Sequence, residues 1–265
     1  RWLACPPSAR LEERLPESTS EYAEEGRLAH AIVELKIRKY FVEPMGPKKF
    51  KAALDKLSAD PRYQPEMVAH ADTFLETVQS VAHSFAKQRP YVMAERRVDY
   101  SKWVPDGFGT CDCLLICDAT LHVFDYKYGQ GVPVSAEDNP QMQLYALGVL
   151  DAYGSLFPIE RVVLHIVQPR LNSHSVFEMT VHELLGWAER IRPKAQLAYE
   201  GKGDYKEGDH CRFCRAKALC RARANQQLAL DDFQRVPPAL LSIAEIGDIL
   251  TRAQNLVKWA QDVND

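Results

Sequence analysis

The sequence predicts a mixed α/β core preceded by a helical N-terminal lobe. Three observations carry that prediction. Up to about residue 90 the apolar residues recur at helical spacing, and then three strand-like segments follow one another closely. Last, a helix, two strands and a further helix complete the order. With 265 residues, 46% of them hydrophobic, the chain can bury a substantial core as one large domain or one domain with an appendage.

The first helix is expected over 20–41, where Tyr22, Leu28, Ile32, Leu35 and Tyr40 recur and acidic residues fill the first turn. Two more are expected over 47–57 and 65–88, each opening near a proline tolerated in a first turn. The composition then turns to β-branched, aromatic and cysteine residues. Strands are predicted over 91–100, 107–117 and 121–128, with a tight turn at Asp118-Ala119-Thr120. Asn139 caps a helix from Pro140 to about Tyr153. Strands over 161–168 and 173–179 precede a helix over 181–200. A cysteine run comes next, then a linker containing Pro237-Pro238. A final amphipathic helix runs from Ser242 to about Val263.

The formal charge is −3 and the pI about 6.3, so any nucleic-acid contact must come from a local basic face. No apolar run approaches the ~20 residues that span a bilayer, and the opening residues lack the apolar stretch of a signal peptide. Seven cysteines is an odd count, and Cys111, Cys113 and Cys117 share one predicted strand. That argues against a disulfide framework and for a reducing, cytoplasmic compartment with metal-binding thiolates.

The strand meander carries the chemistry. Asp125 and Lys127, two apart on a strand, point the same way, and the turn at 118–120 can bring Asp112 beside them. Two carboxylates and a lysine among apolar strands are costly to bury unpaired. A divalent cation such as Mg²⁺ supplies the pairing. For the triplet alone an Asp–Lys pair at a solvent-facing edge is the favoured reading, and the flanking residues change that weighting. Gln141 and Tyr145, four apart, share a face of the following helix. His30, with Arg27, lies in the first helix, where an exposed pair or a core histidine is the plain alternative. Glu95 reads as a surface glutamate with an option on the metal site.

Cysteines supply the second constellation. Cys211, Cys214 and Cys220 form a C-x2-C-x5-C run, and Cys5 stands before Pro6 near the start. Four thiolates hold either tetrahedral zinc or an iron–sulfur cluster, and spacing does not separate the two.

In chain order, His30, Gly109 to Asp112, Asp125 to Lys127 and Gln141 to Tyr145 resemble the RecB-like branch of the PD-(D/E)XK nuclease superfamily. The match covers residues ~1–225 in motif order. In many relatives a proline precedes the first acidic residue; here that slot holds Cys111. The early cysteine and the late run are similar to the iron–sulfur nucleases, among them the CRISPR adaptation exonucleases and AddB-type nucleases. The opening segment and layout also resemble an uncharacterised family of phage and prophage genomes.

The resemblance implies a restriction-endonuclease-like mixed sheet flanked by helices, with a metal clasp joining the N- and C-terminal regions. Residues 1–225 would be one nuclease domain: a helical lobe over 1–90, a catalytic core over 91–200 and a cysteine motif over 201–225. Residues 226–265 would be linker and helix. His30, Asp112, Asp125 and the Tyr126 carbonyl would ligate Mg²⁺ or Mn²⁺. Lys127 would position the attacking water, and Gln141 and Tyr145 would steady it or hold the DNA backbone. Cys5, Cys211, Cys214 and Cys220 would bind a [4Fe–4S] cluster, or zinc as the alternative. The implied activity is a DNA exonuclease working on ends or single strands in recombination, repair or phage DNA processing, with helicase or recombination partners. The competing reading is a catalytically silent nucleic-acid-binding or adaptor module. Arg212, Arg215, Lys217, Arg221 and Arg223, with no acidic residue among them, are the expected phosphate contacts. Lys48, Lys49 and Lys51, and Arg96-Arg97, are further basic groups; Trp103 and Phe108 are candidates for base stacking.

Overall fold

The computed structural model describes residues 1–16, 20–85, 88–228 and 243–265. The chain divides into two compact units, Thr19–Arg190 and Arg1–Ser18 with Ile191–Asp265. Both described chain ends therefore belong to one unit, where the sequence suggested a continuous body over 1–225 and a separate tail.

The order opens with a short helix that periodicity did not predict, α1 (Ser8–Glu13). In the larger unit α2 (Glu21–Ile37) starts where Ser20 Oγ accepts from the amide of Ala23 at 3.2 Å. It runs into a π-helical turn, Arg38–Val42. Two helices follow, α3 (Pro47–Ser58) and α4 (Glu66–Ser84). The strands are β1 (Tyr91–Asp99), β2 (Phe108–Cys117) and β3 (Thr120–Tyr126). Asp118 and Ala119, both at positive φ, make the two-residue turn between β2 and β3. Then come α5 (Pro140–Tyr153), β4 (Arg161–Gln168), β5 (Ser173–Thr180) and α6 (Val181–Glu200). The smaller unit is completed by α7 (Arg221–Leu228) and α8 (Ile243–Asn264). The expected linker around Pro237-Pro238, the first residue of the expected last helix (Ser242), and Ala86 and Lys87 lie outside the described residues.

The five strands form one mixed sheet in the order β1-β2-β3-β4-β5. All neighbours are antiparallel except β3 and β4, which run parallel because α5 carries the chain across. Ile32 and Ile37 of α2 and Phe74 and Val78 of α4 pack with Leu115, Phe124 and Tyr126 of the sheet. At about 25 cal/mol per Å² this apolar layer is the main stabilising term of the unit. Helix α5, capped by Asn139 Oδ1 accepting from the amides of Gln141 and Met142 at 3.1 and 3.3 Å, packs across β1 to β4.

A row of histidines, two buried and the last exposed, crosses the far strands. His122, His165 and His174 stand side by side on β3, β4 and β5. Nδ1 of His122 lies 3.0 Å from Nε2 of His165, and Nδ1 of His165 lies 3.1 Å from Nε2 of His174. Burial pushes His122 down to about 4 and His165 down to about 3, and partial desolvation lowers His174 as well.

Among the described residues no helix is long and apolar enough to cross a membrane.

Candidate active site

Register decides where the acidic residues meet. The last paired rung of β2 and β3 is Cys113 with Phe124, so Asp112 and Asp125 are neighbours one step beyond it. Cys113 and Phe124 turn into the apolar cluster with α2 and α4; strand alternation takes Asp125 to the face it shares with Lys127, while Asp112 reaches His30 of α2. Both are buried, Asp112 to 7% exposure and Asp125 to 4%.

Asp112 uses its two oxygens differently. Oδ2 accepts from the amide of Tyr126 at 2.6 Å, and Oδ1 lies 3.0 Å from His30 Nδ1. Burial alone would disfavour charge on His30. The hydrogen bond and charge of Asp112, with Asp125 beside it, outweigh that and raise the imidazole pKa. The ring is held edge-on against Tyr126, centroids 5.4 Å apart.

Asp125 Oδ2 lies 2.8 Å from Lys127 Nζ. The contact is at ion-pair range but off hydrogen-bond geometry, so Oδ2 remains a buried oxygen without a hydrogen-bond donor. Burial raises the Asp125 carboxyl above its ordinary value; Lys127 works against the shift and Asp112 adds to it. Lys127 Nζ reaches Gln141 Oε1 at 3.4 Å, and Gln141 Nε2 donates to the Tyr145 hydroxyl at 2.6 Å. The first turn of α5 thus anchors the lysine. Gly109 makes this possible, because a Cβ there would lie 2.4 Å from Tyr145 Cε1.

Sequence reasoning undervalued Glu95. It sits on β1 between the paired residues Ala94–Cys113 and Arg96–Cys111, that is, opposite Asp112. One ligand atom each from His30, Glu95 and Asp112 lies within 4.8 Å of the others. The expectation of a surface glutamate is corrected: Glu95 is partly buried, and burial first, then the charge of Asp112, push its carboxyl up to about 7. These residues, with Arg27, Glu34 and Thr110, line an open cleft of about 480 Å³. An imidazole and carboxylates suit a divalent cation of the Mg²⁺–Mn²⁺ kind, and a buried Asp125 oxygen without a donor fits the same chemistry.

The four cysteines meet in the smaller unit. Cys5, Cys211, Cys214 and Cys220 line one small pocket, together with Ser8, Leu11 and His210. Glu12 ties the two stretches of chain that carry them. Its Oε1 accepts from the amide of Arg215 at 2.7 Å and from Arg1 Nη1 at 2.8 Å, while Arg1 also donates to the Phe213 carbonyl. Burial pushes the Cys214 thiol up to about 11 and raises Cys211 as well. Four thiols gathered in one pocket make the donor set a fit for a thiolate-bound centre.

The basic run differs from expectation at one position. Arg223 is 7% exposed and donates to Asp262 at 2.6 Å and to the Lys217 carbonyl at 3.1 Å. Lys217 Nζ binds the same Asp262 at 2.6 Å. Both pair with Asp262 of α8, and because Arg223 is buried the expectation of a phosphate contact at Arg223 is corrected. Arg212 and Arg221 remain on the surface, and Arg215 reaches the Leu15 carbonyl at 3.4 Å. Phe108 is exposed with Arg97 over its ring at 4.2 Å, whereas Trp103 is buried.

Fold and cleft together define a mixed α/β protein with a histidine–carboxylate site at one end of a five-stranded sheet. The match to known families is complete in length: residues 1–265 fit the family described as Protein of unknown function (DUF2800), and the chain belongs to it. A solved structure entitled "Crystal structure of SSO0001" aligns with 82% of this chain and 95% of its own at 15% identity. Its TM-score of 0.30 is too low to add to the description of the fold.

Proposed function

We propose that the protein is a divalent-metal-dependent DNA nuclease with a restriction-endonuclease-like core, acting on ends or single strands. One observation carries the reading: His30, Asp112, Asp125 and Lys127, spread over nearly a hundred residues of sequence, converge at one end of the sheet. His30 and Asp112 would hold the cation with Asp125 alongside. When bound, the cation supplies Lewis acidity toward a phosphoryl oxygen. Lys127 stands where it can orient a water and neutralise charge that develops on phosphate, the kind of preorganised stabilisation that contributes most to catalysis. Gln141 and Tyr145 hold the lysine in place.

The cysteine pocket supports a structural clasp. Four thiolates in one pocket suit a [4Fe–4S] cluster, or tetrahedral zinc as the alternative. Anaerobic purification followed by iron and sulfide analysis decides between the two. Zinc without iron would remove the cluster.

Incubation with end-labelled single- and double-stranded DNA in Mg²⁺ or Mn²⁺ tests the activity. The parent is expected to degrade DNA and Lys127→Ala is not. A parent that binds DNA but never cuts it would leave the adaptor reading in its place.

A further inference from the structure

Glu95 is the residue in the cleft whose backbone departs from its strand. Its neighbours on both sides keep regular pairing with β2, yet Glu95 has a φ of +46°. That left-handed region is unfavourable for any residue but glycine, and such conformations persist where the surroundings enforce them. The carboxylate so delivered has no hydrogen-bond or ion-pair partner among the described residues. It is one of three groups whose ligand atoms lie within 4.8 Å of one another, the others being the His30 imidazole and the Asp112 carboxylate. Two carboxylates at that range repel, and Asp112 already has His30 and the Tyr126 amide as partners. His30 and Arg38 offset only part of the arrangement at Glu95. A cation in the cleft would offset the rest.

We propose that Glu95 is a direct ligand of the divalent cation, completing with His30 and Asp112 a set of one imidazole and two carboxylates. This rests on reading the cleft as a cation site and adds to it a ligand from β1. The set also carries a preference. Carboxylates alone suit Mg²⁺, whereas an imidazole among them shifts affinity toward Mn²⁺, later in the divalent series. The protein therefore holds Mn²⁺ more tightly than Mg²⁺. The left-handed residue is the structural cost of bringing the third ligand to the metal.

The test is Mn²⁺ binding to the purified full chain, followed by calorimetry and by loss of the free-ion EPR signal, without DNA. Glu95→Gln should weaken Mn²⁺ by more than about tenfold, since even outer partners of metal ligands contribute that much. Glu34 lines the same cleft but pairs with Arg38, so Glu34→Gln is the control for charge alone and should bind like the parent. Glu95→Gly keeps the question open to measurement if the glutamine variant folds poorly. Glycine accepts the positive φ, so the cation-free protein should melt at the parent temperature or above while Mn²⁺ affinity still falls. Parent-like binding by Glu95→Gln or Glu95→Gly, equal losses in Glu34→Gln, or a parent that binds no Mn²⁺ would overturn the assignment. Glu95-dependent binding in a protein that cuts no DNA would sustain the ligand and end the nuclease reading. Cleavage with Glu95-independent binding would do the reverse.

Discussion

Asp112 and Tyr126 are joined across β2 and β3 by a hydrogen bond from the Tyr126 amide to Asp112 Oδ2 at 2.6 Å. One half of the carboxylate is therefore a structural acceptor, and only Oδ1, facing His30, is available to a ligand. The Tyr126 amide thereby fixes the orientation of this acid. This separation of duties makes the two obvious substitutions at Asp112 differ. Asp112→Asn keeps an acceptor for the amide but loses the charge. It should fold with the parent's urea midpoint and cleave roughly 10²–10³ less well. Asp112→Ala also strands the amide and should lose about 1–3 kcal/mol in denaturant titration. Equal stabilities for the pair would show that the hydrogen bond contributes little.

Gly109 and Tyr145 make a second, independent check. A methyl group at 109 would fall 2.4 Å from the Tyr145 ring. Gly109→Ala should therefore destabilise the protein by about 1–3 kcal/mol, the usual range for overpacking. Because Tyr145 holds Gln141, and Gln141 holds Lys127, catalysis should fall too. Combining it with Tyr145→Ala should recover much of the stability, read as non-additivity in a double-mutant cycle. Additive losses would show that the ring is not the obstacle.

The histidine row sets a pH dependence. His122, His165 and His174 titrate below their unfolded value of about 6.5. Below that value the unfolded chain binds more protons than the folded one, so stability is complete above about pH 6.5. It is lost as the pH falls toward the folded values of about 4 and 3. Urea midpoints at pH 7 and pH 5 should differ, with the acidic one lower. His165→Gln should narrow the gap. A gap of unchanged size would assign the acid sensitivity to other groups.

Glu12 gives a prediction about the smaller unit that involves no metal. Glu12→Ala removes the acceptor shared by the Arg215 amide and Arg1. The loss should be about 1–3 kcal/mol, and residues near the N-terminus should be cut faster in limited proteolysis. Glu12→Gln, which keeps an oxygen, should be cut at nearly the parent rate. Identical proteolysis of all three would mean that the cysteines alone hold the segment.

Much of this was legible because periodicity reports directly on packing. The meander, the Asn139 cap and the Asp125–Lys127 alternation all follow from rules of local geometry. His30 and Asp112 needed more, since their meeting depends on how α2 crosses the sheet; only the resemblance linked them in advance. Glu95 was undervalued because a positive φ at a glutamate leaves no mark on composition or spacing. Arg223 misled for the opposite reason. Its run contains no acid, but Asp262, some forty residues on, lies beside it in the folded chain. Helix α1 is too short to display a period at all.

That Arg1–Ser18 belongs with the chain beyond Ile191 has a consequence for biosynthesis. Made well before the chain beyond Ile191, this segment lacks the rest of its unit until that stretch follows, whereas Thr19–Arg190 holds its whole sheet in one continuous stretch and can mature meanwhile. The smaller unit is thus the last to assemble, and a stalled or shortened product would carry Cys5 with no companion thiols.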